Sequence, residues 1–301
     1  MNKRIIPLLL VACLTSCAKQ GQIKDVIDRF VIKDRLPRVN NKTARAFVIL
    51  GQSNAAGCSY ISSLQSRYHE VYNEYDVGFD NVRINYFVDN NTNSSDGHFV
   101  KPSYGMGHAK ELFGPEVGMN KVFGEHYKEE EVFILKYTWS GTILDEHWMD
   151  GNYNRGQLYK AAKNFITTSM NYLTRRGYDI TLDSICWMQG ESDAFFERPS
   201  RYYKNTSNMV SFFREDLAKY NKSTIKFIDA EIAEIDLWTF GKDINKAKLQ
   251  FSNESEFNYL IKSNELGLRT DEEPENEPDI AHFDSLSMIT LGEQFGQYCI
   301  K

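Results

Sequence analysis

The run Phe47-Val48-Ile49-Leu50-Gly51-Gln52-Ser53-Asn54 constrains the fold more than any other stretch: an apolar segment stops at a glycine, and a serine follows two residues later. Ala46 to Leu50 shows no polar alternation, the pattern of a parallel strand buried on both faces. Gly51 permits the tight exit such a strand needs, and Ser53 then stands at the carboxyl edge of the sheet, where open α/β folds bind ligands. A helix beginning at Asn54 turns its free N–H groups on the same place. An isolated Gly-x-Ser also has a plainer meaning, because serine is a preferred helix N-cap. Its chemistry therefore depends on what else reaches that edge.

Three further segments are candidates to do so. In Asp279-Ile280-Ala281-His282-Phe283 a carboxylate and an imidazole stand three residues apart, so on a helical turn or tight loop they share a side and the Asp can hold the ring. A Ser, an Asp and a His complete a hydroxyl nucleophile, with the imidazole taking the serine proton and the carboxylate fixing the tautomer. The same spacing also occurs in exposed ion pairs that contribute little. A second apolar strand from Leu182 runs into Gln189-Gly190-Glu191-Ser192-Asp193, where Gln189 can aim an amide at the edge as an oxyanion donor. A third, from Val132, ends in Trp139-Ser140-Gly141-Thr142, and the Gly141 N–H is a second donor.

Together these blocks resemble the SGNH hydrolase superfamily, and within it the carbohydrate esterase branch that holds family 6 acetylxylan esterases and sialate O-acetylesterase. The matching blocks are Gly51-Gln52-Ser53-Asn54, Gly114-Pro115-Glu116, Gly141-Thr142, Gln189-Gly190-Glu191-Ser192-Asp193 and Asp279 to His282, in that order, so the resemblance covers most of residues 46 to 298. It implies a three-layer α/β/α sandwich around a mainly parallel, flavodoxin-like sheet. It implies Ser53 as nucleophile, His282 as base, and Ser53 N–H, Gly141 N–H and Gln189 as the oxyanion hole. Gln52, Asn54, Trp139 and Thr142 are the expected substrate-binding residues. For the acid it offers both Asp279 and Glu191; local geometry favours Asp279, with Glu191 as helper or substitute. Where many relatives carry Gly-Gly-Thr this chain has Ser140-Gly141-Thr142 preceded by Trp139, and the added hydroxyl and indole are expected to narrow the acyl pocket.

The N-terminus carries a separate message. A basic head, Lys3-Arg4, precedes a short apolar run from Ile5 to Leu14, and Leu14-Thr15-Ser16-Cys17 closes it. This is signal-peptide order, too short to span a bilayer, and it is similar to a bacterial lipobox. Residues 1–16 are then removed, Cys17 carries lipid and anchors the protein to a membrane of the cell envelope, residues 17–42 form a tether, and residues 43–301 form the esterase domain. Within the tether, Ile23, Val26, Ile27, Phe30 and Val31 recur at helical spacing, which predicts a short helix packed on the domain.

Composition agrees. With 42% hydrophobic residues among 301, the chain can bury one substantial core. Its net charge of −6, falling by two to −8 once Lys3 and Arg4 are removed, disfavours nucleic acid as a partner. Past Cys17 only Cys58, Cys186 and Cys299 remain, which is no disulfide framework, and the six histidines form no metal-binding spacing. No metal or other cofactor is expected.

Elsewhere, helices are predicted over 61–75, 116–127, 154–176 and 202–220, and strands over 82–88 and 225–232. The polar run from Asp89 to Gly97 opens a surface excursion over 89–111 whose Phe99, Tyr104, Met106 and His108 could cover a sugar. Trp139, Trp148, Phe195 and Phe196 could stack on pyranose rings at the rim. The acidic stretch 271–277 reads as a solvated face. The expected function is removal of O-acetyl groups from a glycan, with xylan, pectin, sialic acid and peptidoglycan as compatible carriers. A glycan-binding module of the same fold and a lipase or thioesterase on longer acyl chains are the alternatives.

Overall fold

A computed structural model describes residues 26–301. Its strands in chain order are β1 (Lys42–Gly51), β2 (Ser59–Tyr60), β3 (Val82–Val88), β4 (Asn93–Ser94), β5 (Leu112–Phe113), β6 (Glu131–Thr138), β7 (Tyr178–Met188), β8 (Lys226–Ala230) and β9 (Asn258–Ile261). The helices are α1 (Ser53–Ala56), α2 (Ile61–Arg67), α3 (His69–Tyr75), α4 (Glu116–His126), α5 (Gln157–Arg176), α6 (Glu191–Phe195), α7 (Tyr202–Asp216), α8 (Gly241–Ser252) and α9 (Ser285–Ile300). Seven strands form one sheet in the order β4-β3-β6-β1-β7-β8-β9; every pairing in it is parallel except that of the short edge strand β4 with β3. β2 and β5 form a separate antiparallel pair.

The unbroken apolar character of β1 earns it the centre of that sheet, where Phe47, Val48, Ile49 and Leu50 are at most 1% exposed. Residues on one face of the sheet, Phe47, Lys136 and Cys186 among them, meet α4 and α9. On the other face Tyr137 and Trp187 meet α5 and α7. The result is the three-layer α/β/α sandwich expected from the resemblance.

Register explains why the motifs converge. Gly51 is level with Thr138 of β6 and Met188 of β7, so three neighbouring strands end together and their next residues are Ser53, Trp139 to Gly141, and Gln189 to Gly190. Gly51 itself sits at φ +138°, and a Cβ there would lie 2.0 Å from Met188 O, so no other residue permits this exit beside β7. Behind the edge, Lys136 and Glu116 form a fully buried ion pair at 2.7 Å; Lys136 also donates to Met106 O (2.8 Å), and Glu116 accepts Gly114 N–H (2.9 Å). The Gly114-Pro115-Glu116 block is thus the fastener that holds the 89–113 connection to the sheet.

Several expectations change. The predicted helix over 61–75 breaks at Tyr68 into α2 and α3, and α8, β9 and α9 arise where no element was predicted. The tether helix is absent from its described part: residues 26–41 run without helix along the domain, because Phe30 inserts edge-on between Phe87, Tyr137 and Phe165 and Leu36 is buried. The rest of that prediction, with Cys17 and the signal peptide, lies outside the described residues. The 89–111 segment is not a free excursion either. Phe99 and Met106 are buried and Tyr104 stacks on Tyr72, which leaves His108 as the member of that quartet with its ring half-exposed.

Candidate active site

Helix α1 is a single turn, and its first residue, Ser53, is half-buried with its hydroxyl bound to nothing among the described residues. The backbone N–H groups of Ser53 and Gly141 likewise donate to no described residue, and Gly141 at φ +67° turns its peptide at the β6 exit. The next side chain does the joining. Asn54, buried, donates to Glu191 Oε1 (2.7 Å) and Ala281 O (3.3 Å) and accepts Phe283 N–H (3.1 Å). One amide thereby ties the Ser53 turn to the segment following β7 and to the loop carrying His282. Ser59 adds a second tie, donating to Phe283 O at 2.6 Å.

His282 closes a tight turn on Asp279, donating its N–H to Asp279 O (3.1 Å), while its Nδ1 lies 2.7 Å from Asp279 Oδ2. Cys58, whose thiol donates to Ser53 O at 3.5 Å, also acts on the ring electrostatically. Burial by itself would push the imidazole down, but Cys58 and Asp279 outweigh it and hold His282 well above the ordinary histidine range. Burial likewise pushes Asp279 up, and its bond to His282 reverses that, leaving the carboxyl below its usual range. Ser53 and His282 stand on touching segments, with Cys58 and Asn54 between them, and no hydrogen bond joins the two side chains directly among the described residues. Such bonds commonly tighten only in the substrate complex.

Several expected site residues sit at the edge with other tasks. Gln189 is fully buried and both hydrogens of its amide are spent, on Thr142 O (2.7 Å) and Asp193 Oδ2 (2.5 Å), so the expected oxyanion donor is occupied in this state. Gln52 is buried and accepts the N–H groups of Gly190 (3.3 Å) and Ser192 (3.4 Å), pinning α6. Thr142 is buried between Trp139 O and the Trp148 indole. Trp139 is buried at 8% exposure, and Trp148 is wholly buried edge-on to Trp187, so neither offers a face for sugar stacking. Gln52, Asn54, Thr142 and Trp139, the expected substrate-binding residues, are thus all buried at the edge, where Gln52, Asn54 and Thr142 hydrogen-bond to protein groups. Phe195 and Phe196 remain a half-buried edge-to-face pair.

The two carboxylates separate by geometry. Asp279 touches the ring; Glu191 does not, and reaches the His282 loop only through Asn54. Complete burial raises Glu191, and its Oε2 has no partner. Nor is the acidic stretch 271–277 wholly solvated: Glu273 is buried, accepting Ser285 N–H and Oγ–H at 2.8 Å and so fastening the start of α9, while Arg67 pairs with Glu272.

One cluster was not legible as a unit. Asp89 accepts Ser140 N–H (2.5 Å) and Ser140 Oγ–H (2.9 Å), and it also pairs with His108 Nδ1. The only sequence signal was His108 itself within the polar excursion; that Asp89 and Ser140 would meet it depends on β3 and β6 ending side by side, Val88 level with Thr138.

Residues 43–301 match the family described as carbohydrate esterase, sialic acid-specific acetylesterase. Among solved structures, a protein from Arabidopsis thaliana superposes with a TM-score of 0.64 at 16% identity, covering 85% of this chain and 97% of that one. NanS superposes with a TM-score of 0.61 at 12% identity over 87% of this chain and 98% of its own. A carbohydrate acetylesterase from Xanthomonas citri gives 0.52 at 14%, over 83% of this chain and 55% of that one. At such identities these likenesses speak for the fold. No curated protein matches the chain. The family match over most of the chain, on a fold the solved structures share, makes this protein a member of the carbohydrate esterase, sialic acid-specific acetylesterase family, an enzyme that removes O-acetyl groups from carbohydrate.

Proposed function

We propose that the chain hydrolyses its acetyl ester in two steps. Ser53 Oγ attacks the acetyl carbonyl while His282 takes its proton; the tetrahedral oxyanion is held by the N–H groups of Ser53 and Gly141; His282 returns the proton to the departing sugar hydroxyl; and water, activated by the same imidazole, clears the acetyl-enzyme. Asp279 orients the ring. The observation that carries this reading is the Asp279–His282 contact at 2.7 Å, on a loop stitched to the Ser53 turn by Asn54. The free Ser53 and Gly141 N–H groups support it as oxyanion donors. Purified Ser53→Ala is expected to release no acetate above background from an acetylated sugar or an activated acetyl ester, with an unchanged melting temperature; wild-type rates in that variant refute the nucleophile. We further propose that Cys17 is lipidated and holds the enzyme at a bacterial envelope membrane, a reading supported by the order of basic, apolar and small residues before it.

A further inference from the structure

We propose that His108, clamped by Asp89 and Ser140 beside the Gly141 peptide, is a specificity-determining residue that donates a hydrogen bond from Nε2 to an oxygen of the sugar bearing the acetyl ester. The inference rests on the Ser53–His282 reading and adds the group that recognises what Ser53 deacetylates.

Its position follows from three independent ties. His108 N–H donates to Gly57 O (2.8 Å), and Gly57 N–H donates to Ser53 O (2.8 Å), so the His108 backbone is two hydrogen bonds from the nucleophile residue. Ser140, whose Oγ lies 3.4 Å from His108 Nδ1, directly precedes the Gly141 N–H. His282 is also near enough that its positive charge opposes protonation of His108. The ring therefore flanks the space between the two oxyanion N–H groups and the base.

Its chemistry follows from the clamp. Asp89 occupies Nδ1, Nε2 has no partner among the described residues, and the side chain is 34% exposed. The bond to Asp89 pushes the imidazole up, more than burial lowers it; Glu111 adds to the rise and His282 opposes it. A protonated ring presents Nε2–H outward, which suits an acceptor oxygen: a carboxylate, as in sialic acid, or a ring hydroxyl. The clamp is built at a conformational cost. Asp89, Asn90 and Asn91 all take positive φ (+44°, +53° and +77°), a left-handed run that persists where surrounding bonds over-determine it. Ser140 is also the position at which this chain departs from the Gly-Gly-Thr pattern its resemblance leads one to expect.

The test compares kcat/KM on three esters: an O-acetylated sialic acid, an acetylated neutral monosaccharide, and 4-nitrophenyl acetate, which carries no sugar. His108→Ala is expected to lower the ratio of sialic acid ester to phenyl ester by about tenfold, chiefly through KM. A carboxylate acceptor confines that fall to the sialic acid; a hydroxyl acceptor spreads it to both sugars. An unchanged ratio overturns the proposal, including the case in which all three esters fall equally, since His108 would then serve the reacting atoms or the fold. The wild-type protein gives a reading independent of any variant: KM for the sugar ester should rise as pH climbs through His108 deprotonation while KM for the phenyl ester stays level, and parallel profiles count against the proposal. Ser53→Ala measured alongside separates this from the nucleophile reading, because hydrolysis surviving in that variant refutes the nucleophile while the His108 ratio still stands or falls by itself.

Discussion

At the scale of single residues, the site separates side chains that touch the reacting groups from those that hold them. Asp279 contacts His282 Nδ1 directly, so Asp279→Asn, which reverses the hydrogen bond and imposes the wrong tautomer, is expected to lower kcat by about 10³–10⁴. Glu191 is wholly buried, its pKa raised by burial, and it offers Oε1 to Asn54; Glu191→Gln keeps that acceptor and should cost less than about tenfold. Steady-state kinetics on both variants checks the assignment, and the opposite ranking would make Glu191 the acid. Cys58 gives a pH prediction. In the proposed mechanism His282 must be neutral to accept the Ser53 proton, and Cys58 and Asp279 raise its pKa, so activity should climb at a pH above the ordinary imidazole range of about 6.5. Cys58→Ala removes one of the two raising groups, and the rising limb of kcat/KM should move to lower pH. Motif order in the sequence put Ser53, His282 and Asp279 forward together because such order carries chemistry, and of these the structure joins Asp279 to His282. The inward turn of Gln52, Asn54 and Thr142 could not be read there, because a polar residue at a strand end has the same letter whether it faces substrate or fastens the neighbouring loop.

At the scale of elements, the sheet is legible where residue pattern and burial coincide and obscure where a tertiary partner decides. β1, β6 and β7 announce themselves as apolar runs, and β1 lies between the other two with all three ends level. The segment 26–41 shows helical periodicity, yet one aromatic, Phe30, finds a ready slot between Phe87, Tyr137 and Phe165, and the backbone follows it. Lys136 lies inside a strand that otherwise reads as buried, and Glu116 at the start of α4, with Met106 O, explains how a charge is tolerated there. Glu116→Ala is expected to cost about 3–5 kcal/mol in urea unfolding, since it strands a buried ammonium. Replacing both partners at once, Lys136→Met with Glu116→Leu, should recover most of that loss. Burial lowers the Lys136 pKa from 10.5, so the unfolded chain binds the extra proton between the lowered value and 10.5. Stability should therefore rise with pH through that window, which begins at lower pH in Glu116→Ala, where no carboxylate opposes the desolvation. A flat pH response would mean that Lys136 stays protonated by other means.

At the scale of the whole molecule, what the structure adds to the anchor proposed at Cys17 is the place where the described chain begins. The first described residues do not enter at the far end of the sheet: Ile27 N–H donates to the Asn90 side chain at 3.0 Å, next to Asp89, and Lys33 N–H donates to Gly97 O at 3.0 Å. The chain therefore joins the domain on the carboxyl edge, beside the His108 clamp. Nine peptide units separate Cys17 from Val26, and at about 3.3–3.6 Å per residue they span at most roughly 30 Å. A lipid on Cys17 would then hold the catalytic edge within that reach of the membrane and favour glycans presented close to it. Cys17→Ala, expressed in a bacterial host with the leader intact, is expected to move the enzyme from the membrane to the soluble fraction while kcat on a small acetylated sugar stays the same, because residue 17 lies far along the chain from the site. Deacetylation of membrane-attached glycan in whole cells should fall in that variant. If the enzyme stays with the membrane after the change, its attachment comes from another surface and the tether distance loses its meaning. If it leaves but acts equally well on membrane-attached glycan, the anchor serves retention alone, and the entry of the chain beside Asn90 has no bearing on substrate choice.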